Sequence, residues 1–282
     1  AMTAAPVMPV LVIDRVEDAV PLGRALVEGG LRVLEVTLRT PVALEVIERL
    51  VGEVEGAIVA AGTVLNARDL KKAAKAGATL AVSPGLTEFV KAARIPVLPG
   101  VATASDVMRG LDWGLELFKF FPAVPAGGVA MLKGLYGPFA NVAFCPTGGI
   151  SLANAPDFLA LPNVLCVGGS WLAPPAAVAA GDWGRIRQLA AEAAADGGLR
   201  VLAVSGAGRA FSAGEPDRRG RPPSPVARLS SAIRATRSAS NASRRSASSS
   251  RRCLRSAKWS SKASTRPAST KSAPGPRWTP AS

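Results

Sequence analysis

Two charged residues sit in runs that otherwise read as buried strands. Lys119 lies in LELFKFF (115–121), where every other position except Glu116 is apolar, and Glu35 lies in LRVLEVTL (31–38). Strand alternation puts Lys119 on the face of Leu115 and Leu117, and Glu35 on the face of Leu31 and Val33. Burial penalises an ammonium, and a neutral amine is what attack on a ketone requires. The plain alternative is an edge lysine whose head reaches water along its methylenes. Glu35 can be half of a structural ion pair or a proton shuttle; a lysine at the same end of the fold favours the shuttle. Arg39, just past that strand, can grip a carboxylate through paired N–H groups or stand in solvent.

The chain contains no histidine. That excludes Ser-His-Asp and Cys-His nucleophile systems and leaves proton transfer to Glu, Asp, Lys, Tyr or water. Cys145, Cys166 and Cys253 show no CxxC spacing, so neither a disulfide framework nor a usual zinc site is expected. No metal and no cofactor are expected. PTGGI (146–150) and VGGS (167–170) place glycine pairs after two adjacent strands. Such turns can offer backbone N–H groups to a phosphate, although tight turns also want glycine. Tyr136, Trp113, Trp171 and Trp183 are expected to pack rather than react.

The elements that must position these groups alternate. Apolar strands are expected at 9–13, 31–38, 57–62, 79–83, 95–100, 115–121, 141–149 and 163–170, with amphipathic helices at 17–29, 41–51, 67–76, 103–112 and 182–195. Asn66 should cap a helix that Gly77 ends, Gly29-Gly30 should end the first helix, and Ser151 should open another. Strands that are apolar along their whole length indicate a parallel sheet. Eight such units indicate an α/β fold, a (β/α)8 TIM barrel, with functional groups at the C-terminal strand ends.

Composition divides the chain. Residues 1–196 hold 16 Lys and Arg against 18 Asp and Glu, whereas residues 197–282 hold 18 against 2, so the basic balance belongs to the second segment. That segment is rich in Ser, Arg, Ala and Pro and poor in large apolar residues, so it is expected to be a disordered basic tail. No leader and no apolar run of membrane-spanning length is seen, and a cytoplasmic protein is expected. An alternative is a barrel that serves as scaffold for a nucleic-acid-binding tail. Nucleic acid is not expected as a partner, because the last 60 residues offer only Trp259 and Trp278 for stacking. A further alternative keeps the barrel but makes it a phosphate-binding isomerase or synthase, which leaves Lys119 without a covalent role.

Six strings, VLEVTLRT (33–40), AGTVLN (61–66), SPGLTE (83–88), FKFFPA (118–123), FCPTGGI (144–150) and CVGGSWL (166–172), occur in an order that resembles the bacterial 2-keto-3-deoxy-6-phosphogluconate aldolases, often active also on 4-hydroxy-2-oxoglutarate. The resemblance covers residues from about 9 to 195. It implies that Lys119 is the Schiff-base lysine and Glu35 the general acid/base. Arg39 and Thr63 would bind the substrate carboxylate, and Pro84 and Phe121 would line the pocket. Thr147 would stand at the substrate, and Gly148, Gly149, Gly169 and Ser170 would form the phosphate-binding turns. It also implies a homotrimer, no metal, and a phosphorylated keto-deoxy sugar acid as substrate; TLRT looks like the gluconate branch.

The sequence departs from the family in two places. Fewer residues precede the first strand than in relatives, which usually carry a helix closing the barrel bottom. Residues 199–215 resemble a fragment of an enoyl-CoA hydratase too short to form that enzyme's site, and nothing familiar follows. A Ser/Arg/Ala/Pro mixture is what an out-of-frame read of GC-rich coding DNA produces. The hypothesis is therefore that residues 197–282 come from read-through or a frameshift. Intact-mass measurement of the native protein should find a species ending near residue 196; a full 28.8 kDa chain would count against the hypothesis.

Overall fold

In the computed structural model the described residues are 6–195; the basic tail, its expected disorder and Cys253 lie outside them. The chain runs β1 (Val7–Leu11), α1 (Ala19–Glu28), β2 (Val33–Thr37), α2 (Ala43–Glu53), β3 (Ile58–Gly62), α3 (Ala67–Lys75), β4 (Leu80–Val82), β5 (Val97–Leu98) and β6 (Gly100–Val101). It continues through α4 (Ala104–Asp112), β7 (Leu117–Phe120), α5 (Gly128–Tyr136), β8 (Ala143–Pro146), α6 (Ala155–Leu159), β9 (Val167–Gly169), α7 (Pro175–Ala179) and α8 (Trp183–Ala195). Every strand pair is parallel, as the continuous apolar runs require.

One set of strands is ordered β5-β4-β3-β2-β1-β9 and the other β6-β7-β8. Single parallel bridges, Phe144 to Val164 and Thr147 to Gly168, link β8 to the β9 segment. The strand expected at 95–100 is split at Pro99, which has no N–H to give a ladder. Its first half pairs with β4 and its second with β7, so the chain passes from one neighbour to the other there. The result is an α/β fold with a curled parallel sheet, and every strand points its C-terminal end the same way.

Alternation sorts the side chains. Val33 and Leu117 belong to an apolar cluster inside the curl with Met8, Ala60, Leu80, Val82, Leu98, Ala143, Cys145, Leu165 and Cys166. Leu34, Val36, Phe118 and Phe120 face the helices instead. Phe118 and Phe120 are wholly buried, with ring centroids 6.3 Å from that of Phe144. Burial of each contributes roughly 1.5–3 kcal/mol. Leu31 and Leu115, expected on the faces of Glu35 and Lys119, pack in the outer core. Both precede their strands, where the two-residue period has not begun.

The helix ends follow local chemistry. Asn66 caps α3 by accepting from the Asp69 amide, and Gly77 takes φ +95° beyond its last turn. Gly29 caps α1 and packs its backbone against Ala190 of α8, which brings the last described helix onto the first. Ser151 does not open a helix: its amide is bound by the Asn154 side chain 2.8 Å away, and α6 starts after Asn154. Helix α6 is the helix expected after Ser151, begun later, at Ala155; α5 and α7 fall outside the ranges expected for helices, and α5 (GVAMLKGLY) has too little polar contrast to show a periodic face. Trp113, Trp171 and Trp183 pack against the core as expected. Tyr136 does not, being 38 % exposed at the last residue of α5. Cys145 and Cys166 are buried free thiols.

At the start of α4, Thr103 and Asp106 form a reciprocal capping box. Burial pushes the Asp106 carboxyl up, but hydrogen bonds from the Thr103 side chain and the Ala102 and Thr103 amides, with the Arg109 charge, outweigh it and hold the carboxyl below its ordinary value. A depressed carboxyl contributes stability that is fully present above its unfolded-state value and is lost as pH falls through the lower folded one. Urea denaturation at pH 7 should show Thr103→Ala destabilising by about 1 kcal/mol. Asp106→Asn should destabilise at pH 7 and lose its effect in acid; an effect independent of pH would contradict this account.

Candidate active site

The C-terminal ends of the strands enclose a cavity of about 330 Å³. Lys119 from β7 and Glu35 from β2 meet inside it, with Lys119 Nζ donating to Glu35 Oε1 at 3.1 Å. The two side chains are 7 % and 1 % exposed, so the pair is almost dry. The snorkelling alternative for Lys119 is thereby set aside. Glu35 Oε2 is buried and has no hydrogen-bond partner among the described residues. Nζ also lies 5.2 Å from the centroid of the Phe121 ring, a distance at which a cation is attracted to the ring face.

The rest of the lining comes from turns that follow the strands. Thr63, directly after β3, has φ +57°, an unusual conformation for a β-branched residue and one that clusters at functional sites. Pro84 sits in a turn shaped by Ser83, whose Oγ donates to the Gly85 carbonyl at 2.8 Å; a side chain at Gly100 would collide with the Pro84 carbonyl. Gly148 and Gly149 both have positive φ, +102° and +77°, so a side chain at either would be strained. The Ala123 and Val124 amides donate to the Thr147 and Gly148 carbonyls at 2.8 and 3.0 Å, tying the turn after β7 to the turn after β8. A side chain at Gly168 would strike Thr147 Oγ1.

All eleven residues singled out in the sequence line this one cavity: Lys119, Glu35, Arg39, Thr63, Pro84, Phe121, Thr147, Gly148, Gly149, Gly169 and Ser170. Arg39, Gly149 and Ser170 are its exposed members, and Arg39 has no ion pair among the described residues. Val10, Thr37, Ile150 and Gly168 line it as well, although sequence reasoning assigned them no role. Thr37 shares the face of Glu35 two residues on, and its hydroxyl donates to the Leu11 carbonyl at 2.9 Å. Val10 pairs with Glu35 across the β1–β2 ladder; only register reveals it. Lys119, Arg39 and Glu35 together leave a net positive charge, which suits an anionic keto acid. No group of three or more His, Cys, Asp or Glu side chains able to hold a metal occurs among the described residues.

A family model described as KDPG and KHG aldolase matches residues 1–189. The chain belongs to that family. The KHG/KDPG aldolase of Escherichia coli (strain K12) is 56% identical over 196 residues, covering 68% of this chain and 92% of that protein. Among solved structures, the KDPG aldolase of Legionella pneumophila, with pyruvate captured at low pH as a covalent carbinolamine intermediate, matches with TM-score 0.66 and 46% identity over 68% of this chain and 95% of that one. The 2-keto-3-deoxy-6-phosphogluconate aldolase of Zymomonas mobilis ZM4 with 3-phosphoglycerate matches with TM-score 0.65 and 53% identity over 72% and 96% of the two chains.

A buried ion pair costs several kcal/mol of desolvation per ion, and removal of one partner leaves the other uncompensated. Lys119→Met should therefore destabilise the fold by about 3–5 kcal/mol in urea denaturation. Lys119→Met combined with Glu35→Leu should recover most of that loss. If Lys119→Met is as stable as the parent, the pair is not dry in solution.

Proposed function

We propose that this chain is a Schiff-base (class I) aldolase that cleaves 2-keto-3-deoxy-6-phosphogluconate to pyruvate and glyceraldehyde 3-phosphate, and also cleaves 4-hydroxy-2-oxoglutarate to pyruvate and glyoxylate. The observation that carries the reading is the Lys119–Glu35 pair, an amine and a carboxylate 3.1 Å apart within one cavity. Proton transfer within the pair turns the ammonium into the nucleophilic amine without changing the net charge of the site. Lys119 Nζ then attacks the C2 ketone, and Glu35 passes its proton to the carbinolamine hydroxyl, so that water departs, an iminium remains and Glu35 is again a carboxylate. Glu35 takes the proton of the C4 hydroxyl as the C3–C4 bond breaks. The bonding electrons pass to the iminium, which becomes an enamine, and the aldehyde departs. Glu35 returns its proton to C3, and water hydrolyses the resulting iminium to pyruvate and free lysine. One carboxyl group serving successive transfers is consistent with a chain that has no histidine.

In this reading Arg39 and Thr63 hold the substrate carboxylate, Pro84 and Phe121 confine the pyruvate portion, and Thr147 orients the substrate. The turns at Gly148-Gly149 and Gly169-Ser170 receive the phosphate, as backbone turns at this end of such folds commonly do. The curled sheet is read as a closed (β/α)8 barrel, and residues 1–196 as the catalytic unit. Family resemblance further supports a homotrimer and a cytoplasmic place in the Entner-Doudoroff pathway. The scaffold alternative gains no support from relatives that are aldolases over the same stretch. Among the described residues no helix is long and apolar enough to cross a membrane.

Borohydride reduction in the presence of pyruvate, followed by peptide mapping, should place a pyruvyl adduct on Lys119. Lys119→Met should lose both the adduct and turnover, by on the order of 10⁴-fold or more. Turnover unchanged in that variant, or inactivation without any lysine adduct, would overturn the proposal.

A further inference from the structure

The register of the β2–β3 ladder sets Glu35 beside Ala60, and Thr37 beside Gly62. Glu35 does not stay level with its own partner. Its side chain leans toward the C-terminal end of the sheet and passes in front of Gly62. A Cβ at Gly62 would collide with Glu35 Oε1 and would lie 2.7 Å from Cγ and 3.0 Å from Cδ. Oε1 is the same oxygen that accepts the hydrogen bond from Lys119.

Backbone geometry does not explain a glycine here. Gly62 is absent from the residues with positive φ, and glycine inside a strand weakens it. What the missing side chain provides is room for the carboxylate. Glu35 is 1 % exposed and the collision reaches back to its Cγ, so it evades an added methyl group by rotating about its own side-chain bonds. That rotation withdraws Oε1 from Lys119. The adjustment is confined to one side chain, moved from Cγ outward, but it costs the chemistry much, because a proton shuttle must sit within hydrogen-bond reach of its partner.

We propose that Gly62 is a positioning residue for the aldol reaction: its hydrogen leaves the notch that aims the Glu35 carboxylate at Lys119. The proposal rests on the acid/base reading of Glu35. It goes beyond that reading by assigning the aim of the carboxylate to the neighbouring strand rather than to Lys119 alone.

The test is a double-mutant cycle in the full chain with Gly62→Ala, Glu35→Gln and the two combined. It follows kcat and KM for cleavage of 2-keto-3-deoxy-6-phosphogluconate and the end-point yield of borohydride-trapped pyruvate on Lys119. Gly62→Ala should lower kcat about 10- to 100-fold, as expected for a catalytic group misplaced by about 1 Å. KM should stay within about twofold and the pyruvate adduct should still form. The combined variant should be no slower than Glu35→Gln alone, because no carboxylate remains to misplace; contacts that act as a unit are non-additive in this way. A Gly62→Ala enzyme with parental kcat, or losses that multiply in the combined variant, overturns the proposal. Parental kcat in Glu35→Gln instead overturns the acid/base reading beneath it. If Gly62→Ala fails to fold, adding Glu35→Ala clears the space that the methyl group would strike. The combined variant is then compared with Glu35→Ala alone, which carries the same unpaired Lys119: equal stability of the two supports the notch, and a further loss in the combined variant overturns it.

Discussion

Everything else in the site depends on keeping one ammonium and one carboxylate together out of water. Lys119 and Glu35 are 84 residues apart in the chain, and both are buried. Replacing such a pair with apolar side chains is often neutral or stabilising, so the fold has little reason of its own to keep it. The pair is better explained by reactivity. An amine beside a proton acceptor can be converted to a nucleophile in place.

The curled parallel sheet makes that meeting possible. Parallel strands deliver all their C-terminal ends to one side, and curling brings β2 and β7 to face each other across the apolar interior. Pro99 supports this arrangement by breaking a strand where the chain passes from β4 to β7. The turns beyond the strands then complete the cavity without further charged side chains except Arg39.

Much of this was legible in the sequence, and the parts that were not share a cause. Strand alternation holds within β2 and β7, so Glu35 and Lys119 could be placed on an inner face from their neighbours. It fails for Leu31 and Leu115, which precede the strands. Asn66 and Gly77 announce the ends of α3 because capping is local chemistry. Ser151 misleads because its amide is bound by Asn154, and Asn154 precedes the helix instead. The family strings pointed to eleven of the residues that line the cavity, yet no string states that Val10 stands beside Glu35 or that Thr63 is left-handed. Those facts belong to register and packing between strands, which a linear reading cannot supply.

The close approaches of Gly168 to Thr147 and of Gly100 to the Pro84 carbonyl bear on how such an enzyme can diversify. Wall residues of the cavity are seated in spaces that adjacent strands leave free, so their sizes are not independent variables. Altering the inner wall demands coordinated change on two strands, whereas Ser170, which borders solvent, can vary singly. Divergence toward new sugar acids would thus begin at the rim and reach the interior last.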